Sequence, residues 1–388
     1  MNLSRTPTGF AASWDCGIII YVRRVRESHD TVYAEIEIQT DQKFFLTEGS
    51  INLSGPRIRQ QWADDLEGMR PLGDGGNWRQ MFEELSRAVI RAYRKGSPVQ
   101  TAMGNLGVKP PEWMLEPIIR RYMCNAIMGD RDSGKSALAI ACAVACQLPW
   151  QDNPFDFVPP VAPMKWLFLD WETSFEDFDW RLKCISAGTG QDPLPLHYRH
   201  CDKPLASDID GVSEAVEKTG VDGLVIDSVG MASGGDLNST ESAFSFLGAL
   251  RSLRDRADHP LTSLLVAHPS KDPNVKKKSL HGSAFFTNEA RNVWELIAKP
   301  STTLGEKLLI LQHNKWNTTF YHPPRAILMN WDESQGIIRF SPTKPPADVE
   351  SDKKPPLHTR AERVLTRGAK TLEMLAADMG ITEEGERR

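Results

Sequence analysis

The sequence lacks the features that would place it in a membrane or in a disulfide-stabilised secreted scaffold. Its apolar run at residues 17–22 is too short to span a bilayer. The six cysteines are scattered through 388 residues with no C-x-x-C pair, which argues against the common zinc sites and a disulfide framework. A net charge of −5 excludes a uniformly basic nucleic-acid coat. We therefore expect a cytoplasmic protein with reduced thiols and no membrane partner.

The composition is that of a globular protein, with 40% apolar and 25% charged residues. A chain of 388 residues predicts two or three domains, and stretches rich in proline and glycine indicate their boundaries. We predict an α+β accessory module (1–96), a linker (97–113), an α/β core (114–342), a Pro-rich linker (343–358) and a helix-turn-helix-like, truncated winged-helix-like stub (359–388).

The first module begins with residues 1–16, whose lack of periodicity predicts a loosely docked arm. The β-rich runs at 17–27 and 31–40 predict an antiparallel hairpin, and helical spacing follows between residues 57 and 94. Five arginines suggest either a nucleic-acid face or a solvated strand edge with loop charges, and the two interpretations are equally compatible with the pattern. They are Arg23, Arg24, Arg26, Arg57 and Arg59.

The core alternates short apolar runs with amphipathic patterns, which is typical of a mostly parallel sheet with crossover helices. Its last runs, at 283–298, 307–316, 326–332 and 336–342, are predicted to finish the sheet as antiparallel edge strands. In the C-terminal stub, Thr371 is the expected cap of a helix. The residues of this helix that we expect to point inward are Leu372, Leu375 and Ala376.

The strongest motif is MGDRDSGKS, which follows an apolar run and precedes the apolar helical pattern at 137–148. Its spacing fits G-x-x-x-x-G-K-[ST], a loop whose backbone amides surround phosphate oxygens. Lys135 is expected to reach the β- and γ-phosphates, and Ser136 to place its hydroxyl on Mg²⁺. This P-loop predicts binding of ATP with Mg²⁺ by Gly129, Asp130, Arg131, Asp132, Ser133, Gly134, Lys135, Ser136 and Ala137.

The carboxylates that complete such a site follow two apolar strands. Asp227 ends the strand GLVID and is expected to hold Mg²⁺ together with Ser136. Ser228 comes next, where many P-loop ATPases have a catalytic glutamate, so the base that orients the attacking water must lie elsewhere. Glu172 in LFLDWET is the best candidate, because it follows the carboxyl end of the second strand. The alternative is a surface carboxylate in a turn.

His268 ends another buried strand, where it can bond the γ-phosphate or the attacking water and relay the presence of ATP to the next loop. A structural histidine is the alternative. The loop that follows carries a run of lysines, which suggests contact with a phosphate backbone or simply a solvated face. These lysines are Lys271, Lys276, Lys277 and Lys278.

Two later cations are candidates for action on a neighbouring subunit. Arg291 lies beside Ala290, Val293 and Trp294, whose helical spacing predicts that Arg291 projects from a helix as an arginine finger. Lys315 in HNKWN is a candidate second trans-acting cation. Either residue can instead be an ordinary surface charge, and the sequence leaves Lys315 undecided.

Six motifs occur in a fixed order: MGDRDSGKS, LFLDWETSFEDFDWRL, GLVIDSVG, LLVAHPSK, LHGSAFFTNEARNVWEL and HNKWN. Over about residues 115–340 they resemble the RepA-type branch of the RecA-like ATPases, hexameric replicative helicases related to DnaB. The resemblance implies a RecA-like core, a ring hexamer with ATP at subunit interfaces, and single-stranded DNA in the channel. It also implies that Glu172 is the catalytic base, His268 the γ-phosphate sensor and Arg291 the finger.

The sequence departs from that family at two places. The P-loop interior Asp130-Arg131-Asp132-Ser133 is more charged than is usual there, and His281-Gly282-Ser283 replaces an Arg-Gly-Ser. Neither departure removes a catalytic group.

The leading hypothesis is an ATP-dependent DNA helicase or single-strand translocase of a phage, plasmid or other mobile element. One alternative is a RecA-like recombination or loader ATPase without processive unwinding. Another is a DNA-binding regulatory ATPase that uses its nucleotide state as a switch. In each case the N-terminal module is a candidate site for replication or recombination proteins.

Overall fold

The computed structural model describes residues 1–6, 8–72, 76–96, 99, 101–102, 104, 112–148, 153–190, 195–236, 239–254, 260–269, 280, 284–301, 303–316, 322–346, 365, 369 and 371–378. The chain forms two compact units, residues 1–110 with 208–215, and residues 111–207 with 216–388. The two predicted linkers lie largely outside the described residues, and the predicted domain boundaries stay predictions.

The first unit contains an antiparallel meander of five strands, paired in chain order. These are β1 (Asn2–Thr6), β2 (Gly9–Ser13), β3 (Ile18–Ser28), β4 (Thr31–Thr40) and β5 (Phe45–Asn52). Helices α1 (Pro56–Met69) and α2 (Trp78–Lys95) share one apolar core with the sheet. The prediction of a loose arm for residues 1–16 is wrong, because β1 and β2 extend the sheet through backbone pairing that their weak hydrophobic pattern does not reveal.

The second unit is built on a sheet that has nine strands among the described residues. They are β8 (Cys124–Gly129), β9 (Trp166–Asp170), β10 (His197–His200), β11 (Gly223–Asp227), β12 (Thr262–Ala267), β13 (Asn292–Pro300), β14 (Glu306–Trp316), β15 (Arg325–Asp332) and β16 (Ile337–Thr343). The order is β10-β9-β11-β12-β8-β13-β14-β15-β16. Pairing is parallel from β10 to β13 and antiparallel beyond, so the mostly parallel α/β prediction is confirmed. A short hairpin, β6 (Trp113–Leu115) with β7 (Ile119–Arg120), precedes β8.

The helices of this unit include the crossovers between parallel strands. They are α3 (Lys135–Gln147), α4 (Phe175–Thr189), α5 (Ile209–Thr219, whose first turns belong to the first unit), α6 (Val229–Ala232), α7 (Thr240–Arg254), α8 (Ala284–Glu289) and α9 (Leu372–Asp378). Helix α3 is apolar all round and lies in the main core. Its burial raises the pKa of Cys142 to about 12, which keeps that thiol protonated. Within the described part of the chain, no helix is both long and apolar enough to cross a membrane.

The segment around Arg291 differs from the prediction. Ala290, Val293 and Trp294 are not a helical stripe, because α8 ends at Glu289 and β13 begins at Asn292. The run from Asn292 is inserted between β8 and β14, where it is buried on both faces. A short apolar run buried in this way cannot be told from a helix by its periodicity.

The tail is described only in part. Thr371 caps α9 as predicted, because its hydroxyl accepts a 3.3 Å hydrogen bond from the Met374 amide. Leu372 was expected to point inward, but its side chain is 83% exposed. No neighbouring element covers it among the described residues, and the rest of the predicted stub lies outside them.

Candidate functional site

The carboxyl ends of four neighbouring parallel strands form one edge of the sheet. Asp170 of β9 lies beside Asp227 of β11, and the register continues from Asp227 to Val266 of β12. Ala267 in turn pairs with Met128 of β8, so His268 follows its strand beside the start of the P-loop. The sheet therefore brings together the predicted carboxylates, histidine and P-loop, which lie up to 140 residues apart in the chain.

The P-loop is shaped by its two glycines. A Cβ on Gly129 would lie 2.6 Å from the Leu296 carbonyl oxygen and 2.8 Å from the Ser133 hydroxyl, so a larger residue would displace β13 or the loop. Gly134 has φ +88°, which L-residues rarely adopt. Asp132 is also left-handed at φ 58°, a conformation that aspartate tolerates better than most residues.

The loop has the features that a phosphate group requires. Gly134 is the N-cap residue of α3 and supplies no capping side chain, so the first amides of a 13-residue helix are not side-chain capped. The buried Ser133 hydroxyl has no hydrogen-bond partner among the described residues. Lys135 is only 7% exposed, its ammonium donates 2.7 Å to the Asp130 carbonyl, and burial lowers its pKa. A phosphate oxygen at this position would accept hydrogen bonds from the Ser133 hydroxyl and the Lys135 ammonium.

The predicted Mg²⁺ ligands lie in contact. Asp227 is 7% exposed and accepts a hydrogen bond from Ser136, and burial raises its pKa to about 6. Among the described residues, no group of three His, Cys, Asp or Glu side chains is arranged to hold a metal ion. An aspartate and a hydroxyl suit Mg²⁺, which takes few protein ligands and completes its shell with phosphate and water. When bound, the ion would offset the charge on the phosphates.

Glu172 is exposed at the same edge and is held from two sides. Its amide and that of Thr173 donate to Asp170 Oδ1 at 2.8 and 3.0 Å, so Asp170 fixes the turn. The Ser228 hydroxyl donates 2.5 Å to Glu172 Oε1. The residue that follows Asp227 thus positions the glutamate and does not replace it. The sequence did not predict this role for Ser228.

His268 is half-buried and bonds the backbone of Gly129. Burial and the charge of Lys135 lower its pKa, which favours the neutral imidazole at neutral pH. A neutral imidazole beside Lys135 can accept or donate one hydrogen bond to a ligand without adding charge. The lysines proposed to follow it, Lys271 and Lys276–Lys278, lie outside the described residues.

A cavity of about 1750 Å³ connects these groups and is large enough for a nucleoside triphosphate. Three of its lining residues were missed by the sequence reasoning. Arg181 of α4 contributes positive charge near Asp227, and Lys307 of β14 donates 2.9 Å to the Asp132 carbonyl. Trp331, which is 37% exposed, offers an aromatic surface on which a base can stack. Their part in the cavity is visible only in the structure, which brings α4 and the antiparallel strands β14 and β15 to the P-loop.

Arg291 and Lys315 lie together, but away from this cavity. The Arg291 amide donates 2.8 Å to the carbonyl of Cys124, the first residue of β8, whereas the P-loop follows the last one. Lys315 pairs with Val293 and donates to the Asn288 and Ala290 carbonyls at 3.1 and 2.8 Å. Burial and the nearby charge of Arg291 lower its pKa. The length of β8, roughly 17 Å from Cys124 to Gly129, therefore separates the Arg291 backbone from the P-loop of its own chain.

Residues 96–274 match the family model described as the AAA domain. The match contains the P-loop, Glu172, Asp227 and His268, and it ends before Arg291 and Lys315. A search of curated proteins finds no match for the chain. The fold, the site and this match define a P-loop ATPase domain, which supports ATP hydrolysis as its general activity.

Proposed function

We propose that the chain is an ATP-driven motor on single-stranded DNA, a helicase or translocase of a phage, plasmid or other mobile element. The observation that carries this proposal is the pairing of Glu172 with Ser228 at the carboxyl edge, while Arg291 and Lys315 lie at the opposite end of β8. The first feature supports a hydrolytic site of RecA-like type. The second keeps Arg291 and Lys315 away from the nucleotide site of their own chain.

In the proposed reaction Lys135 binds the β- and γ-phosphates, and Glu172 orients a water molecule toward the γ-phosphorus. The water's oxygen forms a bond to phosphorus, the bond to the β-phosphate oxygen breaks, and Glu172 accepts the proton. Asp170 and Ser228 hold Glu172 in one orientation, so less conformational entropy is lost when water is bound. His268 reports the γ-phosphate to the loop that follows.

The proposed assembly is a ring hexamer. Arg291 is exposed and cannot reach its own P-loop along β8, so it has to act on the nucleotide of a neighbouring subunit if it acts at all. The single strand would run through the ring against the loop that carries Lys271 and Lys276–Lys278. Replication or recombination proteins are the proposed partners of the first unit.

The test measures ATP turnover with and without single-stranded DNA. We expect severalfold stimulation by DNA, and loss of turnover in Lys135→Ala. Glu172→Gln should lose about 100-fold or more in turnover and still bind ATP, because only the base is removed. The control is Glu176→Gln, which changes an exposed carboxylate in the first turn of α4 and should behave as wild type.

The outcomes separate the candidate functions. Stimulated turnover with strand displacement supports the motor, and stimulated turnover without displacement supports the recombination or loader ATPase. ATP binding with negligible turnover, and DNA affinity that depends on the nucleotide, would support the regulatory switch. Unchanged turnover in Lys135→Ala would overturn the assignment of the site.

A further inference from the structure

The first unit carries a row of positive charge that the proposed function of the core does not use. In α2, residues 85–95 include four basic residues and no acidic one. All four are exposed, and they are Arg87, Arg91, Arg94 and Lys95. The same stretch contains exposed Tyr93. The exposed positive charge of α2 is thus concentrated in its C-terminal half.

The carboxylates in the other half of α2 are bonded within the unit. Glu83 accepts bonds of 2.9 and 3.0 Å from Arg59 of α1, and Glu84 accepts from Trp14 and Gln80 at 3.1 and 2.9 Å. Of the four cations, Arg94 forms an ion pair with Glu27. Among the described residues, no carboxylate lies in ion-pair distance of Arg87, Arg91 or Lys95. The acids of α2 are therefore used inside the unit and its C-terminal cations face solvent.

Several of the arginines first considered as a nucleic-acid face do not provide such a surface. Arg23 bonds Glu37 at 2.6 Å and Arg24 bonds Glu35 at 3.0 Å, both within the β3–β4 pair. Arg59 is held by Glu83. Three of these five arginines are therefore paired within the unit, whereas Arg26 and Arg57 are exposed single cations outside the helical row.

The row is regular and rigid. Arg87, Arg91 and Lys95 follow one another at four-residue intervals, or about 6 Å each, and together cover about 12 Å of the helix. The opposite side of α2 is fixed in the core by Met81, Phe82, Leu85 and Val89. Arg5 bonds the carbonyls of Ala92 and Gly96 at 3.1 and 2.8 Å and so fixes the C-terminal end of the helix.

We propose that this row binds the phosphate backbone of duplex DNA. A repeating polyanion carries one charge per ~3.4 Å of axis on each strand, so 12 Å of rigid cations faces about four phosphates of a strand. Insertion into a membrane is disfavoured, because the apolar face of α2 is already used by the core. The contact is with phosphates and would read no bases.

The test uses the full chain and a 30-base-pair duplex, with binding followed by fluorescence anisotropy from about 50 to 200 mM salt. Arg87→Gln/Arg91→Gln should weaken duplex binding about tenfold or more and lower the slope of log affinity against log salt by about 1.8, because two phosphate contacts are lost. Arg87→Lys/Arg91→Lys should keep most of the binding. Arg91→Gln alone should lower the slope by about 0.9.

The matched control is Lys43→Gln/Arg70→Gln, which removes two exposed cations outside the row and should leave the slope unchanged. A wild-type slope in the row variant, or an equal loss in the control, would overturn the proposal. So would loss of binding to anionic vesicles with duplex binding intact. ATP turnover stimulated by single-stranded DNA is measured in parallel and should not change in the row variant. A loss of that turnover would instead indicate a defect in the core.

Discussion

At the scale of single residues, Asp227 is the clearest conflict between stability and function. Its burial raises the pKa from 3.8 to about 6, so the native state binds a proton more tightly than the unfolded chain does. The free energy of unfolding without Mg²⁺ therefore falls as pH rises from about 4 to 6, and at neutral pH the loss is about 3 kcal/mol. The proposed Mg²⁺ ligand is thus a carboxylate whose charge destabilises the metal-free fold at neutral pH.

We predict that Asp227→Asn removes this pH dependence. In EDTA the variant should unfold at higher urea than wild type at pH 7.5, with a difference of up to about 3 kcal/mol, and should match it near pH 4. Its Mg²⁺-dependent hydrolysis should be lost. Asp179→Asn, which changes an exposed aspartate of α4, should alter neither quantity. A variant no more stable than wild type at pH 7.5 would contradict the argument.

At the scale of elements, the junction between α8 and β13 fixes the base of Arg291. Lys315 binds the last carbonyls of α8, and Glu289 is held by Arg251 and Arg254 of α7. The Arg291 backbone is thereby tied to β8, β14 and α7, while its side chain is exposed. A fixed backbone with an exposed guanidinium group suits a residue that extends away from its own subunit.

We predict that Arg291→Ala keeps ATP binding and loses hydrolysis, because the neighbour's transition state loses its cation. Mixing this variant with Glu172→Gln should restore part of the turnover at hybrid interfaces that contain both intact groups. The control is Arg339→Ala, an exposed arginine of β16 that should turn over as wild type. If mixing gives no rescue, Arg291 does not act in trans.

The same junction shows where sequence reasoning stops. The P-loop, Asp227 and Glu172 were predicted because each follows a strongly apolar run. Each of these motifs can also be recognised from a few consecutive residues. Strand β13 was placed at an antiparallel edge of the sheet and its first residues were interpreted as helical, because its side chains are buried by β8 and β14, partners that the periodicity of the run does not specify. Lys307 and Trp331 were missed since only the long-range register of the antiparallel strands brings them to the P-loop.

At the scale of the whole molecule, the proposed function requires more than one chain. With ATP and single-stranded DNA present, native mass spectrometry should show a hexamer, and ATP turnover per chain should rise with protein concentration. The reason is that the site gains Arg291 only from a neighbour. A species that stays monomeric under these conditions and still hydrolyses ATP would exclude the ring and favour a self-sufficient switch.

The main-chain carbonyls of the P-loop interior have one more consequence, which concerns nucleotide affinity. The carbonyls of Asp130 and Asp132 already hold the ammonium groups of Lys135 and Lys307. When a triphosphate binds, each ammonium group therefore exchanges a carbonyl oxygen for a phosphate oxygen and does not start from an unbonded state. The enthalpy of triphosphate binding should therefore be small for so highly charged a ligand. The affinity for the triphosphate should depend on Lys307 as well as on Lys135.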